Sequence, residues 1–502
     1  MEEAILGIDI GTSSIKCGLF DLNGRELIHL SSSYENIQKK PGIIEIDPET
    51  LWETVIKSIR QMVNSSTGKY RIASVGICAM MIMPVLLGSN KNAIRPIIHW
   101  LDSRLQEQYY LLKKKGYKRL IANYSGSALT GESTINALSW IKQNEPYNYE
   151  KASRFFMLKD FIRFKLTGEI FSDFGDASGS QMLDTRKWKW SDELIQELGF
   201  NRDIFPELLK PFEVGGYITQ RASNLTGLTG GTPVAVGSGD GITTILGLGI
   251  CRQGQIGITV GSAGVIAAPV KTYPGDSKFR TYIFCHPMSD RWFSLMATAS
   301  SGEIFRWYRE NVVKNREISF SDLDSEASDS PAGSDGLLFL PYLLGSRNPH
   351  SNPGASGALL GLRYRHNRND ITRAILEGVS FELKDIFEVE REILSGKNID
   401  IKEVRISGGI TRSIFWQQLL ADILGNDLVT TKSKELGTSG AAVIASIAAG
   451  FYKNLDEAVK AMVICDGLIK HDRGPGELYR KKFNTFRKLY KTLEPSFGLL
   501  LK

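Results

Sequence analysis

Asp240 is the residue around which this sequence offers chemistry. It stands in Gly237-Ser238-Gly239-Asp240-Gly241-Ile242-Thr243-Thr244, after the apolar run 233–236 and before the apolar run 245–250. The first run reads as a strand and the second as a helix. Glycines on both sides of the acid let a ligand or a second backbone come close. A carboxylate at a helix entrance is also favoured by the helix dipole, so Asp240 is a candidate general base. Alone, the same eight residues are better explained as an N-cap in a tight turn.

The neighbours shift that balance. Residues 4–9 and 15–21 read as strands about the turn Gly11-Thr12-Ser13. Its backbone N–H groups and hydroxyls, with Lys16 behind them, suit a phosphate, and Asp9 suits the magnesium that travels with one. Ordinary hairpin chemistry would use the same residues. Residues 256–260 and 265–270 repeat the pattern about Gly261-Ser262-Ala263-Gly264. A duplicated strand–turn–strand means more than either copy. Val404-Arg405-Ile406-Ser407-Gly408-Gly409 then leads into a helix from about 412 to 424, a turn at which a nucleotide can meet the backbone.

Other elements must hold these pieces. A strand at 74–77, a methionine-rich turn (Met80, Met81, Met83) and a strand at 85–88 follow the first hairpin. In Trp100-Leu101-Asp102-Ser103-Arg104 the Trp, Asp and Arg suit a polyol about as well as they suit a helix start capped by Asp102. Residues 134–171 read as helical, with a stop at Thr167-Gly168-Glu169. Residues 172–179 form an acidic, small-residue turn. Ser300-Ser301-Gly302-Glu303 precedes a helix over 304–313, and the polar stretch 317–331 reads as an exposed connection. Ile371, Ile375, Val379, Leu383 and Ile386 line a long helix capped by Asn369 or Asp370. Tyr479, Phe483, Phe486 and Tyr490 mark an amphipathic docking helix, not a nucleic-acid platform.

At 502 residues the chain exceeds what one core supports, and the division falls near 248–252, giving domains 1–248 and 249–502. It is 42% hydrophobic and 23% charged, an ordinary globular balance. A net charge of +6 without a long basic block argues against a nucleic-acid partner. The five cysteines are scattered without metal spacing, so reduced thiols and a cytoplasmic home are expected. No apolar run approaches the ~18 residues of a membrane helix.

From end to end the chain resembles the FGGY family of carbohydrate kinases. The resemblance rests on Gly7-Ile8-Asp9-Ile10-Gly11-Thr12, Trp100-Leu101-Asp102-Ser103-Arg104, Leu158-Lys159-Asp160, residues 172–179 and the Asp240 segment. In the second half it rests on Leu340-Pro341-Tyr342-Leu343, residues 345–349, Gly357-Ala358-Leu359-Leu360-Gly361-Leu362, Ala374-Ile375-Leu376-Glu377-Gly378, Ile406-Ser407-Gly408-Gly409 and residues 435–442. It implies two α/β domains of the actin-like, ribonuclease-H-like fold around a central cleft, with sugar mainly on the first and ATP mainly on the second. It implies Asp240 as catalytic base and Asp9 as the magnesium holder. ATP would meet Gly11, Thr12, Ser13, Lys16, Thr259, Gly261, Ser262, Gly302, Gly408, Gly409 and Ser413. The sugar or polyol would meet Met81, Ile82, Trp100, Asp102, Arg104, Asp240 and Gly241; a homodimer is allowed. Many xylulose and gluconate kinases of the family carry Met-His-Gly or Met-His-Ser where this chain has Met81-Ile82-Met83. Asp240-Gly241 resembles the gluconate kinases, whereas Arg347-Asn348-Pro349-His350 is closer to the pentulose kinases, so the sugar stays open. Two readings without phosphoryl transfer also stay open: an actin-like ATP-binding protein and a sugar-sensing module.

Overall fold

The computed structural model describes residues 1–315 and 317–499. In chain order, the elements that carry the site begin with β1 (Glu2–Ile10), β2 (Ser14–Phe20), β3 (Glu26–Ser33), β4 (Tyr70–Ala79) and α1 (Ser103–Lys114). Next come α2 (Leu158–Thr167), α3 (Phe174–Gly179), β5 (Pro233–Ala235), β6 (Ser238–Gly239) and α4 (Asp240–Gly247). There follow β7 (Gln255–Val260), β8 (Gly264–Val270), α5 (Gly302–Trp307), α6 (Phe320–Asp329), α7 (Arg368–Ser395) and β9 (Glu403–Gly408). The last are α8 (Ile414–Leu424), β10 (Leu428–Thr431), α9 (Leu436–Ala448), β11 (Cys465–Ile469) and α10 (Gly476–Phe497).

The chain forms two compact units. One comprises Met1–Cys251, Val270–Phe293 and Glu435–Ile464; the other comprises Arg252–Pro269, Ser294–Lys434 and the segment from Cys465. A single cut near 248–252 therefore marks only the first passage of the chain from one unit to the other.

In the first unit β5, β4, β1, β2 and β3 lie side by side, and β6 also pairs with β4. β1 runs antiparallel to β2 and parallel to β4. Ala4, Leu6, Ile8, Val75 and Ile77 are fully buried, as expected where a sheet is covered on both faces. α9 lies on that sheet at backbone contact. A Cβ on Gly7 would come within 2.0 Å of the Thr438 carbonyl oxygen, and one on Gly76 within 2.0 Å of that of Ala441. Glycine at positions 7 and 76 is needed for this approach.

The second unit repeats the plan. β7 runs antiparallel to β8 and parallel to β9, which pairs parallel with β10; β11 closes this side antiparallel. Tyr479, Phe483, Phe486 and Tyr490 of α10 are buried, as a docking helix requires. Glu377 of α7 ties the interior together, accepting from Arg373 Nε at 3.0 Å and from the Gly333 amide at 2.8 Å.

Three stretches depart from expectation. Within 134–171, Pro146 opens a new short helix, and Arg154–Met157 is a strand antiparallel to Pro84–Leu87 before α2 begins. The Phe155-Phe156 pair favours a strand there. Residues 320–329 are helical, not an open connection: Ser319 and Asp322 form a reciprocal capping box. α7 is capped by Asn367, two residues before the expected cap, with Asp370 completing its box.

Candidate active site

Parallel pairing brings the two acids together. Asp9 lies opposite Cys78 in the β1–β4 register, and Ser238 lies opposite Cys78 on the other side of β4. Asp240 follows at the first position of α4. Both acids thus stand at the carboxyl ends of parallel strands, where α/β sheets bind ligands. Each is partly exposed. Asp240 Oδ1 accepts the Gly241 amide at 2.8 Å, and the carboxylate also accepts the Met81 amide. Burial, and then the charge of Asp9, push the Asp240 carboxyl up to about 7; the amide hydrogen bonds oppose them. Burial raises Asp9 too, against a hydrogen bond from the Cys78 thiol at 3.4 Å and the charge of Lys16. Lys16 Nζ is itself 2.7 Å from Glu435.

In both glycine turns the carbonyls are engaged by hydrogen bonds. In the first, the Gly11 carbonyl accepts the Tyr34 hydroxyl at 2.6 Å, Thr12 accepts Asn36 Nδ2 at 3.2 Å and Ser13 accepts the Tyr34 amide at 3.1 Å. In the second, the Gly261, Ser262 and Ala263 carbonyls accept the amides of Gly302, Ser301 and Gly261 at 2.9, 2.7 and 3.0 Å. The amides of Thr12, Ser13, Ser262 and Ala263 have no acceptor among the described residues. Carbonyls held back and amides left forward make an anion cradle.

In the second unit a pocket of about 590 Å³ gathers Gly261, Ser262, Gly302, Gly409 and Ser413, five of the residues expected at ATP. Gly408, at φ 93°, brings its backbone against Val260, and Thr259 faces Ser407 across β7 and β9. The pocket also has Phe305, Phe320, Asp324 and Trp416 in its wall, which sequence reasoning missed. The polar look of 317–331 hid α6, which supplies Phe320 and Asp324.

On the sugar side, the outcome is divided. Met81 lies over Gly239 and Gly241: a Cβ on Gly241 would be 3.3 Å from its sulfur. Ile82 and Phe284 converge with Met81 on Gly179. This face beside Asp240 is apolar. Asp102, in contrast, caps α1 and is bound by Arg104 at 2.7 and 2.8 Å, and Arg104 also reaches Glu45 at 3.0 Å. Both are buried, so their polar atoms are spent inside the protein; Trp100 beside them stays partly exposed.

Beneath Asp240 lies a buried ionic group. Lys159 contacts Asp160 and lies 2.9 Å from Asp173, which accepts the Ser238 hydroxyl at 2.7 Å. That bond anchors β6, two residues before the candidate base.

The N-terminal-domain model of the FGGY family of carbohydrate kinases matches residues 4–247, and the C-terminal-domain model matches residues 273–449. Xylulose kinase of Bacillus subtilis (strain 168) is 28% identical over 487 residues, covering 97% of this chain and 96% of that protein. Gluconokinase of the same strain is 27% identical over 507 residues, covering 99% and 95%. The crystal structure of gluconate kinase from Lactobacillus acidophilus matches with a TM-score of 0.93 at 26% identity, covering 100% of both chains.

Proposed function

Because this chain belongs to the FGGY family of carbohydrate kinases, built from two actin-like domains, we propose that Asp240 is the base of an ATP-dependent sugar kinase. The acceptor is a small open-chain sugar, sugar acid or polyol of the xylulose or gluconate type, in keeping with relatives of both names. Its hydroxyl oxygen forms a bond to the γ-phosphorus of ATP as the bond to the bridging oxygen breaks, and its proton goes to the Asp240 carboxylate. In a loose transition state that proton leaves late, so a carboxylate is a strong enough base. The observation that carries this reading is the Asp9–Asp240 pair at the ends of the two strands that flank β4, Asp9 adding its charge to the burial that raises Asp240. Non-transferring readings are disfavoured by the family.

Asp9 is assigned to magnesium. Among the described residues no group of three or more His, Cys, Asp or Glu forms a metal cage. The pair still fits magnesium, which is typically held by one or two carboxylates with water and phosphate oxygens. When bound, the ion supplies positive charge to the phosphates and offsets the crowding of the two acids. The forward-facing amides of the two turns would receive phosphate oxygens. Residues 1–248 are assigned to the sugar and the base, and residues 249–502 to ATP, on the strength of the pocket at Gly261 and Gly409. Buried Cys17, Cys78 and Cys285, none of them in a disulfide, support a cytoplasmic location.

Asp240→Asn is expected to lower turnover by ~10² or more while ADP binding, read by calorimetry, stays nearly unchanged. Retained turnover on a panel of xylulose, ribulose, gluconate, glycerol and erythritol would remove Asp240 from the role.

A further inference from the structure

We propose that the apolar face made by Met81, Ile82 and Phe284 beside Asp240 receives a carbon of the acceptor that carries no hydroxyl, so that the preferred substrate is an open-chain deoxy sugar or deoxy polyol. The proposal rests on the assignment of Asp240 as the base. All the residues involved belong to the first unit. The Met81 amide donates to the Asp240 carboxylate, so the Met81 side chain starts at the base itself. It then runs along the backbone of 239–241: a Cβ on Gly239 would lie 2.3 Å from Met81 Cγ, and one on Gly241 3.3 Å from its sulfur. At its far end the Met81 methyl meets Ile82 and Phe284 over Gly179. A Cβ added there would be 3.0 Å from Met81 Cε, 3.3 Å from Ile82 Cγ2 and 3.5 Å from Phe284 Cε1.

Phe284 is fixed from both sides. Its neighbours on the strand Tyr282–Cys285 donate their amides to side chains: Ile283 to the Ser127 hydroxyl at 2.8 Å, and Cys285 to the Ser178 hydroxyl at 3.0 Å. Met81, Ile82, Phe284 and Asp240 are each partly exposed, so a bound molecule can touch them. The polar side chains that border Gly179 turn inward. Ser178 donates to the Phe174 carbonyl at 2.6 Å, Ser180 to that of Ala177 at 2.6 Å and Gln181 to that of Ala128 at 2.7 Å, and all three are buried. A hydroxyl laid on the face would give up water and find no strong donor or acceptor in the three apolar side chains. A methyl or methylene laid there removes apolar surface from water on both partners.

The test measures kcat/KM, and binding by calorimetry, for three pairs that differ by one hydroxyl: D-xylulose and 1-deoxy-D-xylulose, D-gluconate and 2-deoxy-D-gluconate, erythritol and 1,2,4-butanetriol. The full-length wild type, Met81→Gln and Ile82→Asn are used, each checked for folding. Gln is close to Met in length, and Asn tolerates the φ of 67° at position 82. The wild type is expected to favour the deoxy partner at least about tenfold in one or more pairs, the scale on which an apolar site discriminates. Both variants place hydrogen-bonding groups on the face and should bring that ratio to within about threefold or reverse it. A wild type that phosphorylates the hydroxylated partner as well as the deoxy one in every pair overturns the proposal and leaves the kinase reading standing. An unchanged ratio in both folded variants also overturns it. Tighter binding of a deoxy compound, lost in the variants, with none of the six phosphorylated would support the face as a deoxy-carbon subsite and refute the kinase reading. Failure of the wild type to bind any of the six removes the acceptor class and the proposal together.

Discussion

Asp240 carries a charge that its surroundings resist. Its folded carboxyl lies near 7 against an ordinary 3.8, so between those values the folded chain holds a proton that the unfolded chain releases. Stability therefore falls as pH rises through that window. Asp240→Asn is expected to unfold later in urea at pH 8, by about 1 kcal/mol once partial exposure is discounted. The gain should shrink as pH falls through that window and vanish only toward pH 3, below the ordinary 3.8, where folded and unfolded acids are both neutral. An equal gain at both pH values would show that the charge is not its source. Ile82 is strained in a different way. It is β-branched at φ 67°, in the left-handed region that such residues avoid. Ile82→Gly should add about 1 kcal/mol of stability by releasing that strain, and should alter kcat/KM across sugars through the apolar face it shares with Met81. Loss of stability on this change would mean that Ile82 contacts outweigh the backbone cost. Asp240 and Asp9 were both legible as acids with possible roles. Their mutual influence was not, because it depends on a strand register between distant residues. Asp102 was ambiguous in sequence, and its capping bond and Arg104 supply the part that only three dimensions reveal.

At the scale of elements, β6 is two residues long, and its position depends on what lies beneath it. Ser238 donates to Asp173, and Asp173 in turn balances Lys159, which is 1% exposed. Asp173→Ala would leave the ammonium with Asp160 and the buried Asp176, and the Ser238 hydroxyl without its acceptor. The expected loss is about 3–5 kcal/mol in chemical denaturation, typical of breaking a buried pair. Loss below about 1 kcal/mol would mean that the group is hydrated or redundant. The strand-and-turn repeat was readable because glycine turns and β-branched runs are local signals. α6 was not, since its polar composition looks like a loop; its Ser319–Asp322 capping box is a short signal that composition concealed. With α6 went Phe320 and Asp324, so the nucleoside wall was lost along with the helix that carries it. The strand at Arg154–Met157 was missed for the opposite reason: its aromatic residues fit a helical face, and its partner strand is far away in sequence.

For the whole molecule, two compact units predict departures from all-or-none unfolding. ADP at about 100 times its Kd should stabilise the unit holding the pocket by about 2.7 kcal/mol. Scanning calorimetry or hydrogen exchange should place that protection in β7, β9 and α8. Protection confined instead to β1 and β4 would contradict the placement of ATP on the second unit. Neither return of the chain to the first unit, at Val270–Phe293 and Glu435–Ile464, is marked by composition.

The second of those returns has a bearing on biosynthesis. α9 lies directly on β1 and β4, yet ribosomes make it only after the long stretch that separates Ala79 from Leu436. At roughly 5–20 residues per second, the earlier strands wait on the order of 20–70 s for their cover. A nascent chain thus leaves this close seam open through most of its synthesis, and chaperone supply during translation should govern the yield of active protein more than the stability of the finished fold.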